Sequence, residues 1–304
     1  MSAQLVELSN ALAQLTERAA VSAVAVHTED RGSSSGVIWR DGVIVTAEHA
    51  LRRDEDISVT LPGGRVVSAT LAGRDPSTDL AVLKCAEAKP GSAKFGAVES
   101  LRPGSLTLVV GRTRASGPVA ALGVVSLVTA ERRSWGGAAF TPYVRLDVAV
   151  QPTAVGGAVV DAQENITGIA TPRFARFGAI IIPGAQVNRV VDLLLQKGHM
   201  PRAYLGVGLQ TVNLPASVRD SLQRKEATGA IVLEVEPESP AHKAGVLIGD
   251  ILVALGPQSV ARLEDVQSQL FPENIGKKLA AKIVRGGAAR DLDILIAERP
   301  HGAK

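Results

Sequence analysis

Ile57-Ser58-Val59-Thr60-Leu61 and, after Pro62-Gly63-Gly64, Arg65-Val66-Val67-Ser68-Ala69-Thr70-Leu71 decide the fold class of this chain. Both are short runs rich in β-branched residues, and the residues between them interrupt strands. The pattern continues in both directions, with Val21-Ser22-Ala23-Val24-Ala25-Val26 upstream and Leu106-Thr107-Leu108-Val109-Val110 downstream. Short strands at this spacing, from about residue 20 to residue 182, argue for an antiparallel barrel or sandwich. At 304 residues the chain exceeds a single core, so two or three compact units are expected.

Helical periodicity marks two further segments. Leu5, Leu8, Leu12 and Leu15 form one stripe and predict an amphipathic helix over 1–19, which packs on its own barrel or docks on a neighbouring subunit. Val190, Val191, Leu194 and Leu195 predict a helix over 187–197, and Gly198 ends it. The first residues lack a basic stretch followed by an apolar run, so the chain reads as cytoplasmic as written and as periplasmic if an export signal has been removed. No membrane span is expected. A formal net charge of +3, with both signs interleaved, gives no support for a nucleic-acid partner. The single cysteine excludes an internal disulfide, and the five histidines lack metal-ligand spacing, so neither metal nor cofactor is expected. Cys85 follows Leu80-Ala81-Val82-Leu83 and reads as a small buried hydrophobe.

The chemistry turns on Gln151-Pro152-Thr153-Ala154-Val155-Gly156-Gly157-Ala158, which follows the strand-like Val144-Arg145-Leu146-Asp147-Val148-Ala149-Val150. The first of these resembles the nucleophile loop N-P-G-N-S-G-G-P of trypsin-like proteases of the HtrA type, with Thr153 in place of glycine and Val155 in place of serine. Other segments carry the same resemblance in the same order. Gly32-Ser33-Ser34-Ser35-Gly36-Val37-Ile38 is similar to G-S-G-F-I, Val43-Ile44-Val45-Thr46-Ala47-Glu48-His49-Ala50 to I-L-T-N-N-H-V, and Gly178-Ala179-Ile180-Ile181-Ile182-Pro183 to G-F-A-I-P. Gly73-Arg74-Asp75-Pro76-Ser77-Thr78-Asp79-Leu80-Ala81-Val82-Leu83-Lys84 reproduces the aspartate segment almost letter for letter.

The resemblance implies that His49 and Asp79 are the base and orienting carboxylate of a Ser-His-Asp triad, and that the backbone N–H groups of Thr153 and Val155 form the oxyanion hole. Valine has no hydroxyl to activate, and a β-branched residue at 153 resists conformations open to glycine. The Thr153 hydroxyl lies two residues away, and extended residues are about 3.3 Å apart along the chain, which removes it from the attack position. The expectation is therefore a pseudoprotease, not an enzyme.

A second resemblance covers the C-terminal third. Tyr204-Leu205-Gly206-Val207 is similar to the carboxylate-binding loop of PDZ domains in this protease family, and Glu238-Ser239-Pro240-Ala241-His242-Lys243-Ala244-Gly245-Val246-Leu247-Ile248-Gly249-Asp250-Ile251-Leu252 to their S-P-A-x-x-A-G-L-x-x-G-D-x-I signature. Such a domain adds a peptide's C-terminal segment as a strand. Leu263, Val266 and Leu270, at helical spacing, are expected on the opposite wall of the groove, and Gly206 is expected to leave room for the ligand carboxylate.

The resulting expectation is a mainly β chain: a helix over 1–19, a double six-stranded β-barrel over 20–198 (barrels at about 20–110 and 111–183, then a helix), a linker over 199–202 and an α+β PDZ domain over 203–298. The expected partners are peptide C-termini or unfolded protein segments, bound in a chaperone-like or regulatory role, and the resemblance implies a homo-oligomer, a trimer. Two alternatives stay open: a serine-type endopeptidase of the family with residual or unconventional activity, and a scaffold subunit in mixed oligomers with active relatives.

Overall fold

The computed structural model describes residues 3–27, 32–115, 117–133 and 139–300. The chain divides into two compact units, Met1–Met200 and Pro201–Lys304. The expected fold class is what it adopts.

In the first unit, strands β1 (Ala23–His27), β2 (Ser33–Arg40), β3 (Val43–Ala47), β4 (Ile57–Thr60), β5 (Val66–Asp75) and β6 (Leu80–Lys84) close into a barrel of order β1-β2-β3-β6-β5-β4. Its interior takes one face of each strand, through Val24, Ile38, Ile44, Val59 and Leu83. The other face of β2, β3 and β6, through Val37, Val45 and Val82, packs into a second core shared with the rest of the unit. Strands buried on both faces need apolar residues on both, which is why Val43-Ile44-Val45 is an unbroken apolar run, while the buried Thr46 satisfies its hydroxyl on the Ser35 carbonyl at 2.7 Å.

The second barrel corrects the expected boundary. After the short β7 (Lys94–Phe95), strand β8 (Leu106–Thr113) pairs with β9 (Gly117–Thr129) and, 45 or more residues on, with β13 (Ala158–Asp161), so 106–113 opens the second barrel rather than closing the first. Alternation marks a strand without naming its partner, and here both partners lie downstream. Following β10 (Arg132–Arg133) and β11 (Ala139–Phe140), strands β12 (Tyr143–Asp147), β14 (Asn165–Thr171) and β15 (Ala179–Pro183) complete the ring β8-β9-β12-β15-β14-β13.

Helix α1 (Ala3–Ala20) packs Leu12 and Leu15 on the barrels, whereas Leu5 and Leu8 at its start are exposed, so its stripe is only half used within one chain. Helix α2 (Gly184–Lys197) buries Val187, Val190, Val191 and Leu194, is tied to β2 by Trp39 Nε1 donating to Asn188 Oδ1 at 2.8 Å, and ends on Gly198 in the left-handed region. Among the described residues no helix is long and apolar enough to cross a membrane.

The second unit is a sheet of order β17-β18-β19-β21-β22, built from β17 (Val207–Asn213), β18 (Thr228–Val235), β19 (Ile251–Leu255), β21 (Lys278–Arg285) and β22 (Ala288–Leu295). The short β20 (Gln258–Ser259) pairs with β19, and β16 (Ala203–Tyr204) pairs with β23 (Ala297–Glu298). Helices α3 (Ala216–Ser221), α4 (Pro240–Lys243) and α5 (Leu263–Gln267) accompany it. β17 stands at the sheet edge.

Asp250, 1% exposed, joins this unit together: its carboxylate accepts from Arg285 Nε at 2.7 Å, Arg285 Nη2 at 2.7 Å and the Leu247 N–H at 2.8 Å. Burial pushes its pKa up, but the Arg285 and Leu247 bonds outweigh burial and hold it below the ordinary carboxylate value. A depressed folded pKa stabilises the fold above the unfolded value of about 3.9 and loses that contribution as pH falls through the folded value. Asp250→Asn is expected to lower the melting temperature of this unit at neutral pH by about 5 °C or more and to flatten the loss of stability below about pH 4. Differential scanning calorimetry across pH checks both.

Candidate active site and peptide groove

Strand register brings the histidine and the aspartate together. In the β3–β6 pair Ala47 faces Leu80, so the chain just after β3 and the residue just before β6 meet at one end of the ladder. His49 lies in the turn Glu48–Ala50, and its backbone N–H donates to Asp79 Oδ1 at 2.9 Å. His49 Nδ1 is 2.8 Å from both Asp79 oxygens, which assigns the ring proton to Nδ1 and leaves Nε2 as the acceptor. Asp79 is fully buried and held at φ 60°, and the Thr171 hydroxyl from the second barrel donates to its Oδ2. Beside it Glu48 meets Arg74 at 3.3 Å and Arg173 at 3.6 Å, and the Arg173 N–H donates to Thr171 Oγ1.

The 151–157 loop is wedged against the same end of the first barrel. A Cβ on Gly156, at φ +79°, would come within 2.7 Å of the Ala47 N, and one on Gly157 within 2.8 Å of the Ala154 carbonyl, so neither glycine has room for a side chain. Ser35 pins the loop: its N–H donates to the Val155 carbonyl at 2.9 Å and its hydroxyl to the Thr153 carbonyl at 2.6 Å. Pro152–Ala154 forms a tight turn in which the Val155 N–H donates to the Pro152 carbonyl at 3.4 Å. In a trans peptide the C=O and the following N–H point oppositely, so turning the Pro152 carbonyl toward Val155 turns the Thr153 N–H away. The two N–H groups expected to form an oxyanion hole do not converge on one point here. Val155 itself is 5% exposed and presents only methyl groups.

In the second unit, Tyr204, Leu205, Gly206, Val207, Leu263, Val266 and Leu270 line one cavity of about 390 Å³. The Leu205 carbonyl accepts from the Ala241 N–H and the Gly206 carbonyl from the Glu236 N–H, both at 2.9 Å. By the same peptide geometry the N–H groups of Gly206 and Val207 point away from those partners. The helical wall is shorter than expected: α5 ends at Gln267, and Leu270 sits in the following turn, because Pro272 forces Phe271 into an extended conformation. Val266 is buried in the core, and Leu263 and Leu270 pack against it.

Gly206 needs correction. It adopts φ +76°, and a Cβ there would overlap Ser239 and come within 2.8 Å of the Tyr204 hydroxyl, so the missing side chain makes room for the domain itself rather than for a ligand. Gly206→Val is therefore expected to destabilise the second unit, seen as a lower melting temperature by circular dichroism, and not to act as a clean block of binding.

Thr171, Ser35 and Glu236 were not singled out from sequence. Each acts across 32 to 118 residues of chain, and nothing local to a threonine, serine or glutamate marks such a partner.

Two family models match: the trypsin-like peptidase domain over residues 34–169 and the PDZ domain over residues 203–296. The chain is 31% identical over 276 residues to a probable periplasmic serine endoprotease DegP-like of Marinomonas sp. (strain MWYL1), covering 89% of this chain and 58% of that protein. It is 31% identical over 283 residues to the protein of that description from Brucella suis biovar 1 (strain 1330), covering 90% and 54%. It thus spans little more than half the length of these curated relatives. Among solved structures it is similar to the HtrA-type protease AlgW with decapeptide (25% identity, TM-score 0.72, 95% and 98% of the two chains) and to the serine endoprotease from Yersinia pestis (26%, TM-score 0.72, 95% and 98%). The expectation that the chain is not an enzyme, drawn from Val155 in the serine's place and Thr153 in the glycine's, is overturned by these relatives, which are named serine endoproteases and point to a protease. With a trypsin-like double barrel followed by a PDZ domain, the chain belongs to the HtrA family of serine proteases.

Proposed function

We propose that the chain captures the C-terminal segment of peptides or unfolded proteins in the groove between β17 and α5. One observation carries this reading: the loop carbonyls of Leu205 and Gly206 are tied inward, which turns two N–H groups outward beside a free strand edge and a cavity with leucine and valine side chains in its lining. A terminal carboxylate satisfies the N–H groups, the peptide backbone extends the sheet along β17, and Leu205, Val207, Leu263 and Leu270 receive its last side chain. Titration of the whole chain with a fluorescent decapeptide ending in valine is expected to give at least tenfold tighter binding for the free acid than for the amide. Equal affinities contradict the reading.

The relatives' names and the intact His49–Asp79–Thr171 chain support a second activity, peptide-bond hydrolysis at His49. Without an oxygen at 155, the nucleophile is water: His49 Nε2 takes its proton, the oxygen adds to the carbonyl carbon, and His49 returns the proton to the leaving amine as the C–N bond breaks. This route forms no acyl-enzyme. Slow casein turnover that is lost in His49→Ala, without fluorophosphonate labelling, is the expected result; turnover unchanged in that variant contradicts it. Homo-oligomeric assembly and a periplasmic location belong to the same proposal, the latter resting on the relatives' names. Sedimentation at a multiple of the chain mass is expected.

A further inference from the structure

Two residues that line the groove, Tyr204 and Glu236, make a contact with each other that the protease chemistry does not explain. The Tyr204 hydroxyl donates to Glu236 Oε2, and Tyr204 Oη lies 2.8 Å from where a Gly206 Cβ would be, on the same side of Gly206 as Ser239. Glu236 holds the loop a second time through its own backbone, whose N–H donates to the Gly206 carbonyl at 2.9 Å. One residue therefore fixes the loop through its main chain and, through its side chain, fixes the aromatic residue at the loop's entrance. We propose that Tyr204 and Glu236 form a positioning pair that holds the Gly206 and Val207 N–H groups at the geometry required by a peptide's terminal carboxylate. This rests on the groove reading above.

The chemistry of the pair suits that role. A phenol donating to a carboxylate makes a short, charge-assisted bond, stronger than a neutral one. Burial, followed by the hydrogen bond and the charge of Glu236, pushes the Tyr204 pKa up to about 12 against the opposing charge of Arg299, so the hydroxyl stays a donor throughout the physiological range. Gly206 has no side chain to fix its torsions, and at φ +76° it depends on its neighbours for a single conformation. The Glu236 main-chain bond sets the Gly206 carbonyl, and the Tyr204 hydroxyl, with Ser239, occupies the space a Gly206 side chain would take. Loss of the hydroxyl leaves the fold's packing but frees the loop, so the cost falls on ligands that use both N–H groups at once.

The test is a fluorescence titration of the whole chain with the decapeptide ending in valine, as free acid and as amide, for the unaltered chain, Tyr204→Phe, Glu236→Leu and Glu236→Gln. Tyr204→Phe and Glu236→Leu are expected to weaken the free acid about tenfold and the amide less than twofold, because the amide does not use the oriented pair of donors. Glu236→Gln keeps an acceptor for the tyrosine but not its charge, and is expected to weaken the acid far less than Glu236→Leu does. Equal weakening of both peptides, no weakening in Tyr204→Phe, or a Gln variant as poor as the Leu variant overturns the positioning role. Absence of an acid-over-amide preference in the unaltered chain instead overturns the groove reading, and the positioning role with it.

Discussion

Val155→Ser combined with Thr153→Gly is expected to hydrolyse a fluorogenic peptide about 10²–10³ faster than Val155→Ser alone, the usual worth of an oxyanion-hole donor. The serine restores a hydroxyl in the loop that packs on the barrel end from which the His49 turn leaves, and His49 Nδ1 is already anchored on Asp79. It does not by itself restore the hole, because the Pro152 carbonyl is turned toward the Val155 N–H and the Thr153 N–H away from it. Glycine at 153 permits that peptide to turn over, which threonine resists. Active-site titration with a fluorophosphonate, together with single-turnover kinetics, separates acylation from binding. If the single variant matches the double one, the orientation of the 152–153 peptide is not what limits the reaction.

Asp79→Asn in that double variant is expected to lower kcat by about 10⁴, as loss of the orienting carboxylate does in other triads. The buried carboxylate accepts from three donors here: His49 N–H, His49 Nδ1–H and the Thr171 hydroxyl. An amide replaces one acceptor by a donor, which favours the tautomer with the proton on Nε2 and leaves Nε2 unable to act as a base. Thr171→Val, which removes one donor and leaves the tautomer, is expected to cost far less. Steady-state kinetics with a fluorogenic peptide measures both, and comparable losses would show that Asp79 acts through packing rather than through the tautomer.

What was legible in the sequence follows from where each signal resides. Strand runs such as Val43–Ala47 and Val66–Leu71 carry their own propensity, and the order of the His49, Asp79 and Val155 segments survives in one dimension. The loop 204–207 and the segment 238–252 are local too. The barrel boundary was not legible, because Leu106–Thr113 declares itself a strand but takes its partners from 117–129 and 158–161. Thr171 and Ser35 are ordinary residues whose importance exists only across the barrel contact. Gly206 was legible as a constrained glycine but for the wrong reason, since the obstacle beneath it, Ser239, is 33 residues away. The α1 stripe shows the converse: Leu5 and Leu8 have the spacing of buried residues yet are exposed in the single chain.

Peptide capture by the Gly206 and Val207 N–H groups is the central claim, and amide-detected NMR of the whole, isotope-labelled chain tests it most directly. On addition of the free-acid decapeptide the Gly206 and Val207 amide protons are expected to move downfield as they gain a carboxylate acceptor, with β17 amides following as the edge strand pairs, whereas the amidated peptide leaves Gly206 and Val207 nearly unmoved. Equal shifts with both peptides, or the largest shifts in the 151–157 loop, contradict the account.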